Sequence, residues 1–225
     1  KFNADVISGQ TALAEAPADT DEFLVSDGGV IKRIDYSLIK GGGMYELIQT
    51  QSVTSAVSSV DFTSTQMTTA HLDYLIIYSG VKLAADGAKF TMRVSSDGGS
   101  NFLTSTDYRH CSVGRDDNNT TNSNNSNADD DIELHVRDTG NGTGRSINGV
   151  IEVFDPLNQT GDDKFFTCNF RTSHIDSNNF LVASNGSAAF DVSGSEDTVF
   201  NGIRMKANTG NIAVGSFSIY GRKTS

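Results

Sequence analysis

The run Gly114–Asp131 concentrates the side chains most able to meet a ligand. Arg115, Asp116, Asp117, Asn118 and Asn119 open it, Thr, Ser and Asn fill it, and Asp129, Asp130 and Asp131 close it. Amides offer a donor and an acceptor together, and carboxylates accept, which suits sugar hydroxyls that need both. The run holds no large apolar residue, so a long exposed loop is expected there rather than part of a core. Loops of that length in a compact domain are functional or disordered. Tyr108, beside Arg109 and just ahead of the run, adds a ring that could stack on a pyranose face. Tyr108, Arg115, Asp116, Asp117, Asn118 and Asn119 are the expected ligand-binding set. The competing reading is a solvated excursion, because loop closure costs little extra as length grows. The aspartates are also hard oxygen ligands of the kind calcium takes, but their spacing is not that of an EF-hand. No metal and no cofactor are expected.

Other chemistry is poorly served. His71, His110, His135 and His174 stand at no ligand spacing and none lies in an HExxH motif. His110 and Cys111 are neighbours, and neighbours along a strand point to opposite faces, so they do not form a dyad. No GxSxG elbow is present. Glycoside hydrolysis needs two carboxyls about 5 to 9 Å apart, and after Glu46 the only glutamates are Glu133, Glu152 and Glu196. No enzymatic activity is expected. Cys111 and Cys168 lack metal-type spacing. Their even number permits one disulfide, but two buried free thiols are the expected state if the chain is made in a bacterial cytoplasm.

The elements that would position these groups read as strands. With 22 Gly, 2 Pro and no Trp in 225 residues, the chain suits short strands joined by polar turns. Strands are expected over 45–51, 59–63, 74–83, 89–95, 107–113, 132–137, 147–154, 164–171, 180–183, 199–206 and 212–220. Turn signals between them include Asp97-Gly-Gly99, Gly161-Asp162, Asn185-Gly186 and Asn208-Thr-Gly210. Ile132, Leu134 and Val136 alternate with Glu133, His135 and Arg137, as in a strand with one wet face. The segment 66–78 is the one tolerable helix, yet its Tyr74–Tyr78 run favours a strand. The pattern predicts an all-β fold, an antiparallel β-sandwich of jelly-roll type, with 199–220 as a closing hairpin.

Residues 1–43 differ. Phe23–Val25 and Val30–Ile31 flank Ser26-Asp-Gly-Gly29, a hairpin signal. The second arm is expected to continue through Ile34, Tyr36, Leu38 and Ile39. A lone hairpin is marginal in water, so this extended β-hairpin segment must pack on something. Copies in a homotrimer are the simplest partner, through Phe23, Leu24, Ile31, Ile34 and Tyr36; docking on the following domain would also serve. Gly41-Gly-Gly43 reads as a flexible joint. It divides a stalk segment, 1–43, from a head domain, 44–225.

The net charge of −11, with 17 Lys and Arg scattered, argues against a nucleic-acid partner and against an anionic membrane surface. No apolar stretch approaches the ~20 residues of a membrane span, and no signal peptide opens the sequence.

Three segments carry a resemblance. Val199–Lys223, VFNGIRMKANTGNIAVGSFSIYGRK, resembles the C-terminal end of bacteriophage tail-fibre and receptor-binding proteins, which finish F-x-G-I-R, then S-G-N-I-x-x-G-x-F-x-L-Y-G. Asp19–Ile39 is similar to short hairpins in fibre shafts, and Met92–Phe102 is a third likeness; together they cover about a quarter of the chain. The resemblance implies a virion tail-fibre protein, made in the host cytoplasm and released by lysis. It implies a homotrimer that adheres to the bacterial surface by recognising a polysaccharide or outer-membrane receptor. Other tail or fibre proteins would join the N-terminal segment. The alternatives are a purely structural fibre or decoration protein of head, neck or tail, and a glycan depolymerase; the resemblance carries no catalytic motif.

Overall fold

A computed structural model describes residues 11, 15–39, 43–157, 165–190 and 199–223. The chain divides into two compact units, Lys1–Gly43 and Met44–Ser225. Gly41 and Gly42 of the expected joint, and the expected turn at Gly161-Asp162, lie outside the described residues.

In the first unit β1 (Glu22–Asp27) pairs antiparallel with β2 (Val30–Asp35). Gly28 and Gly29 link them with φ of +59° and +84°, the left-handed pair that a two-residue hairpin turn requires. The second arm then departs from expectation. Tyr36–Ile39 form a single helical turn, α1, instead of more strand. The reason is local: the Tyr36 N–H donates to Asp21 O at 2.7 Å, beyond the end of β1, so the chain curls around its partner's start. Register places Phe23 opposite Ile34 on one face and, one residue on, Leu24 and Ile31 on the other. The Phe23 and Tyr36 rings lie 5.9 Å apart. No described residue of this unit is buried.

The second unit is all-β and built of two antiparallel sheets. Its strands are β3 (Tyr45–Val53), β4 (Ser59–Phe62), β5 (His71–Leu83), β6 (Phe90–Ser95), β7 (Tyr108–Asp116), β8 (Thr121–Asp129), β9 (Ile132–Glu133), β10 (Ile147–Phe154), β11 (Phe166–Ile175), β12 (Leu181–Phe190), β13 (Gly202–Ala207) and β14 (Ile212–Lys223). The large sheet has the order β3-β14-β5-β10-β11-β12-β7-β8, and the small one β4-β13-β6-β9. Strict alternation assigns the faces. In β7 the residues Tyr108, His110, Ser112, Gly114 and Asp116 are buried and those between are exposed, and β11 follows the same rule. Inward side chains of both sheets meet in one aromatic core. Phe90 of β6 lies 5.2 Å from Tyr78 of β5 and 6.3 Å from Phe217 of β14.

Four expectations are corrected. First, the run 114–131 is not a long loop. Most of it is the end of β7 and the edge strand β8, in register from Arg115↔Thr121 to Cys111↔Asn125. An edge strand faces solvent, so it needs no apolar residue to justify its place. Second, the last two strands do not form a hairpin. β13 pairs with β4 and β6 in the small sheet, while β14 lies between β3 and β5 in the large one. The turn between them crosses from sheet to sheet, and Asn208 Oδ1 secures it by accepting the Lys89 N–H at 2.8 Å. Third, Asn185-Gly186 lies inside β12. A Cβ at Gly186 would collide with the Phe170 ring and come within 2.7 Å of Ser112 Cβ, so this glycine makes room for an aromatic core residue. Fourth, only Ile132–Glu133 of the segment 132–137 is strand, because Arg137 is drawn to the carboxylates of two turns, as described below. His71–Leu83, which includes the tolerable helix's end, is strand throughout.

Candidate functional site

Antiparallel partners point to the same face of a sheet, so the registers spell out the outer face of the large sheet row by row. One row crosses all eight strands: Leu47, Tyr220, Leu75, Glu152, Asn169, Ser187, Cys111 and Asn125. The next runs Thr50, Ser218, Ile77, Val150, Arg171, Asn185, Val113 and Ser123. Both rows change character midway. On β3, β14, β5 and β10 they are more apolar, with Leu47 and Ile77 among the exposed hydrophobic side chains and Thr50, Ser218 and Glu152 between. On β11, β12, β7 and β8 they are mostly amides and hydroxyls, interrupted by Cys111, Arg171 and the exposed Val113.

The polar half sinks into a shallow trough of about 670 Å³, lined among others by Ser123, Asn125, Glu152, Asn169, Arg171 and Asn185. A second hollow of about 380 Å³ continues it past Asn169 and Ser187 to Arg109 and Thr167. Ser187 Oγ donates to Asn169 Oδ1 at 2.8 Å, which orients that amide. Among the described residues the side chains of Asn125, Glu152, Arg171 and Asn185 make no hydrogen bond or ion pair. The trough therefore presents free donors, free acceptors, one positive and one negative charge on a rigid sheet. Sequence reasoning missed it because the residues are dispersed over five strands and only the register gathers them.

The expected binding set is dispersed differently. Tyr108 is wholly buried. Its hydroxyl accepts the Val94 N–H at 2.9 Å and donates to Leu103 O at 3.1 Å, and its ring packs 4.4 Å from Phe190. Burial pushes its pKa upward. Its place at the start of β7, an inward position, excludes it from surface contact. Asp116 is also inward: its carboxylate accepts the Thr120 N–H at 2.8 Å and pairs with Arg137 at 2.5 Å. Those contacts, the backbone one first, hold its pKa below the usual value. Arg115, Asp117, Asn118 and Asn119 remain exposed around the β7–β8 turn, where Arg115 donates to Asn119 Oδ1.

The acidic cluster is engaged by the protein's own cations. Asp131 pairs with Arg93 and, at 3.0 Å, with Lys206; Asp130 lies 3.3 Å from Arg93. Among the described residues no group of acidic, His or Cys side chains could hold a metal ion. Glu133 and Glu152 belong to different sheets, and Glu133 is held by Lys89 at 2.5 Å and by Asn124. Cys111 and Cys168 are unpaired, the first exposed and the second buried, so only one thiol fits the expectation of burial. His110 and Cys111 do face opposite sides of β7. His135 and His174 stack at 4.9 Å beneath the large sheet, and burial lowers both pKa values.

No family model matches this chain, and neither a curated protein nor a solved structure matches it.

Proposed function

We propose that this chain is the head of a bacteriophage tail fibre and adheres to a glycan on the host surface. The observation that carries the reading is the trough on the large sheet, where Asn125, Asn185, Glu152 and Arg171 make no hydrogen bond or ion pair with the described residues, beside the oriented Asn169. Free amides aligned on a rigid sheet match an extended saccharide, whose hydroxyls each donate and accept. The likeness of Val199–Lys223 to fibre C-termini supports the virion assignment, and the two facing antiparallel sheets suit a jelly-roll sandwich. The apolar half of the same face, around Leu47, Leu75, Ile77 and Tyr220, suits contact with further copies in a homotrimer. Several copies on one particle would turn weak single contacts into firm attachment.

A labelled full chain applied to bacterial cells and to their extracted surface polysaccharides tests this. Saturable binding that drops at least tenfold in Asn185→Ala, with the variant's melting temperature unchanged, is the expected result. Absence of binding to any such surface, in a protein that still assembles onto particles, would instead make it a structural fibre component.

A further inference from the structure

We infer that the ligand of this trough carries an anionic group, a carboxylate or a phosphate, and that Arg171 is its counter-charge. The inference rests on the adhesion reading and narrows it to acidic glycans. In this acidic chain, net −11, the other described arginines are engaged internally. Arg204 grips Asp61 through two hydrogen bonds, at 2.8 and 2.7 Å. Arg93, Arg137 and Arg222 each pair with aspartate. Arg171 alone among the described arginines has no hydrogen bond, ion pair or ring contact.

Its isolation is not for want of an acid. Arg171 sits opposite Val150, and Glu152 is two residues further along β10, opposite Asn169. Diagonal neighbours of this kind are about 7–8 Å apart at the backbone, within reach of two long side chains, yet each remains unpaired. The trough thus keeps its two charges separate, with Asn169 and Asn185 on the register positions flanking Arg171. A guanidinium offers a planar fork of donors that fits carboxylate and phosphate with two parallel bonds. Asn185, directly across from Arg171, is placed for the neighbouring hydroxyl. Glu152 accepts a hydroxyl on the other side of the same sugar. A neutral saccharide could accept hydrogen bonds from Arg171 but would desolvate its charge without a counter-charge, which costs binding free energy.

The test measures binding of the full chain to three probes: an oligogalacturonate, its methyl ester as the neutral counterpart, and a glycerol-phosphate oligomer. At least tenfold tighter binding of one or both anionic probes than of the ester is expected, weakening as salt is raised. The tighter of the two tells carboxylate from phosphate. Arg171→Gln should abolish the preference while leaving the melting temperature unchanged, and Arg171→Lys should retain part of it. Equal binding of ester and acid, lost in Asn185→Ala, would overturn the charge assignment while leaving adhesion standing. Binding of none of the probes would overturn this inference, and the adhesion reading would then stand or fall by the cell-binding measurement. A preference that survives in Arg171→Gln would also overturn it.

Discussion

Asp116 and Asp176 close on one guanidinium from turns of the same design. Each aspartate opens a five-residue turn, Asp116–Thr120 and Asp176–Phe180. In each the Asp N–H donates to the carbonyl four residues on, at 3.1 and 3.0 Å. In each an Asn three residues on adopts φ of +65° or +70° and donates its N–H back to the Asp carbonyl at 3.1 Å. One carboxylate oxygen of each caps its own turn, at 2.8 Å in both. The remaining oxygens hold Arg137, at 2.5 Å from Asp116 and 2.8 Å from Asp176. Two hairpins of the large sheet are thereby tied at one end, with the Phe180 ring stacked 5.7 Å from the guanidinium.

Removing that tie should be costly. Arg137→Met strands Asp176, whose side chain is fully buried, and the loss of a buried charge's partner costs about 3–5 kcal/mol. Urea unfolding of the variant should show a lower midpoint with an unchanged slope. Adding Asp176→Asn should recover part of the loss. A midpoint unchanged in Arg137→Met would show that the clamp contributes nothing.

Stability should fall with acidity in two stages. His135 Nε2 accepts the Phe90 N–H at 2.8 Å, so the folded ring must be neutral, and burial with the nearby His174 keeps its pKa well below the usual value. The unfolded chain takes up protons near pH ~6.5, where the folded state refuses them, so stability declines as pH falls below that point. The carboxylates act lower. Hydrogen bonds from Asn101 and Ser95 depress Asp97 to about 2, and Asp116 and Glu46 are depressed too. The Asp97 contribution is complete above its unfolded value of 3.8 and is lost as pH drops toward about 2; those of Asp116 and Glu46 are likewise lost as pH falls below their unfolded values. Urea midpoints measured from pH 8 down check both stages; a flat profile between about pH 7 and 5 would contradict the histidine stage.

Tyr108→Phe separates a core role from a binding role. It deletes the hydroxyl that joins Val94 of β6 to Leu103 O and leaves a buried N–H without its acceptor. The expected loss is about 1–3 kcal/mol of folding stability, with the proposed glycan binding of the folded protein unaltered. Weaker binding at unchanged stability would restore Tyr108 to the ligand site.

The two thiols should be distinguishable in one experiment. An aromatic disulfide reagent should modify Cys111 at once in the native protein. Cys168, buried and with its pKa pushed up to about 12, should react only on unfolding. Two equivalents reacting rapidly in native buffer would contradict the placement of Cys168 in the core.

Strands with alternating burial were legible: the expectation over 147–154 coincides with β10, since Val150, Ile151 and Val153 carry a strong apolar signal. The hairpin at Gly28-Gly29 was legible too, because its turn type demands those residues. The polar edge strand β8 was not, for it has no apolar face to betray its period. The paired turns were written in the sequence as Asp116-Asp-Asn-Asn119 and Asp176-Ser-Asn-Asn179, but their common target, Arg137, emerges only from the fold. The trough was illegible for a similar reason. Asn125 and Glu152 are placed on one row by three intervening strands, and no local pattern encodes that pairing.

The separation of β13 from β14 bears on how the protein is made. Each is an interior strand, β13 between β4 and β6 and β14 between β3 and β5. A nascent chain that has emerged only as far as β12 can pair β5, β10, β11, β12, β7 and β8, but its β3 and β4 have no strand to close on. Closure of both sheets must await synthesis of nearly all of the unit, a non-local step of the kind that slows folding. A copy terminated before β13 can complete neither sheet.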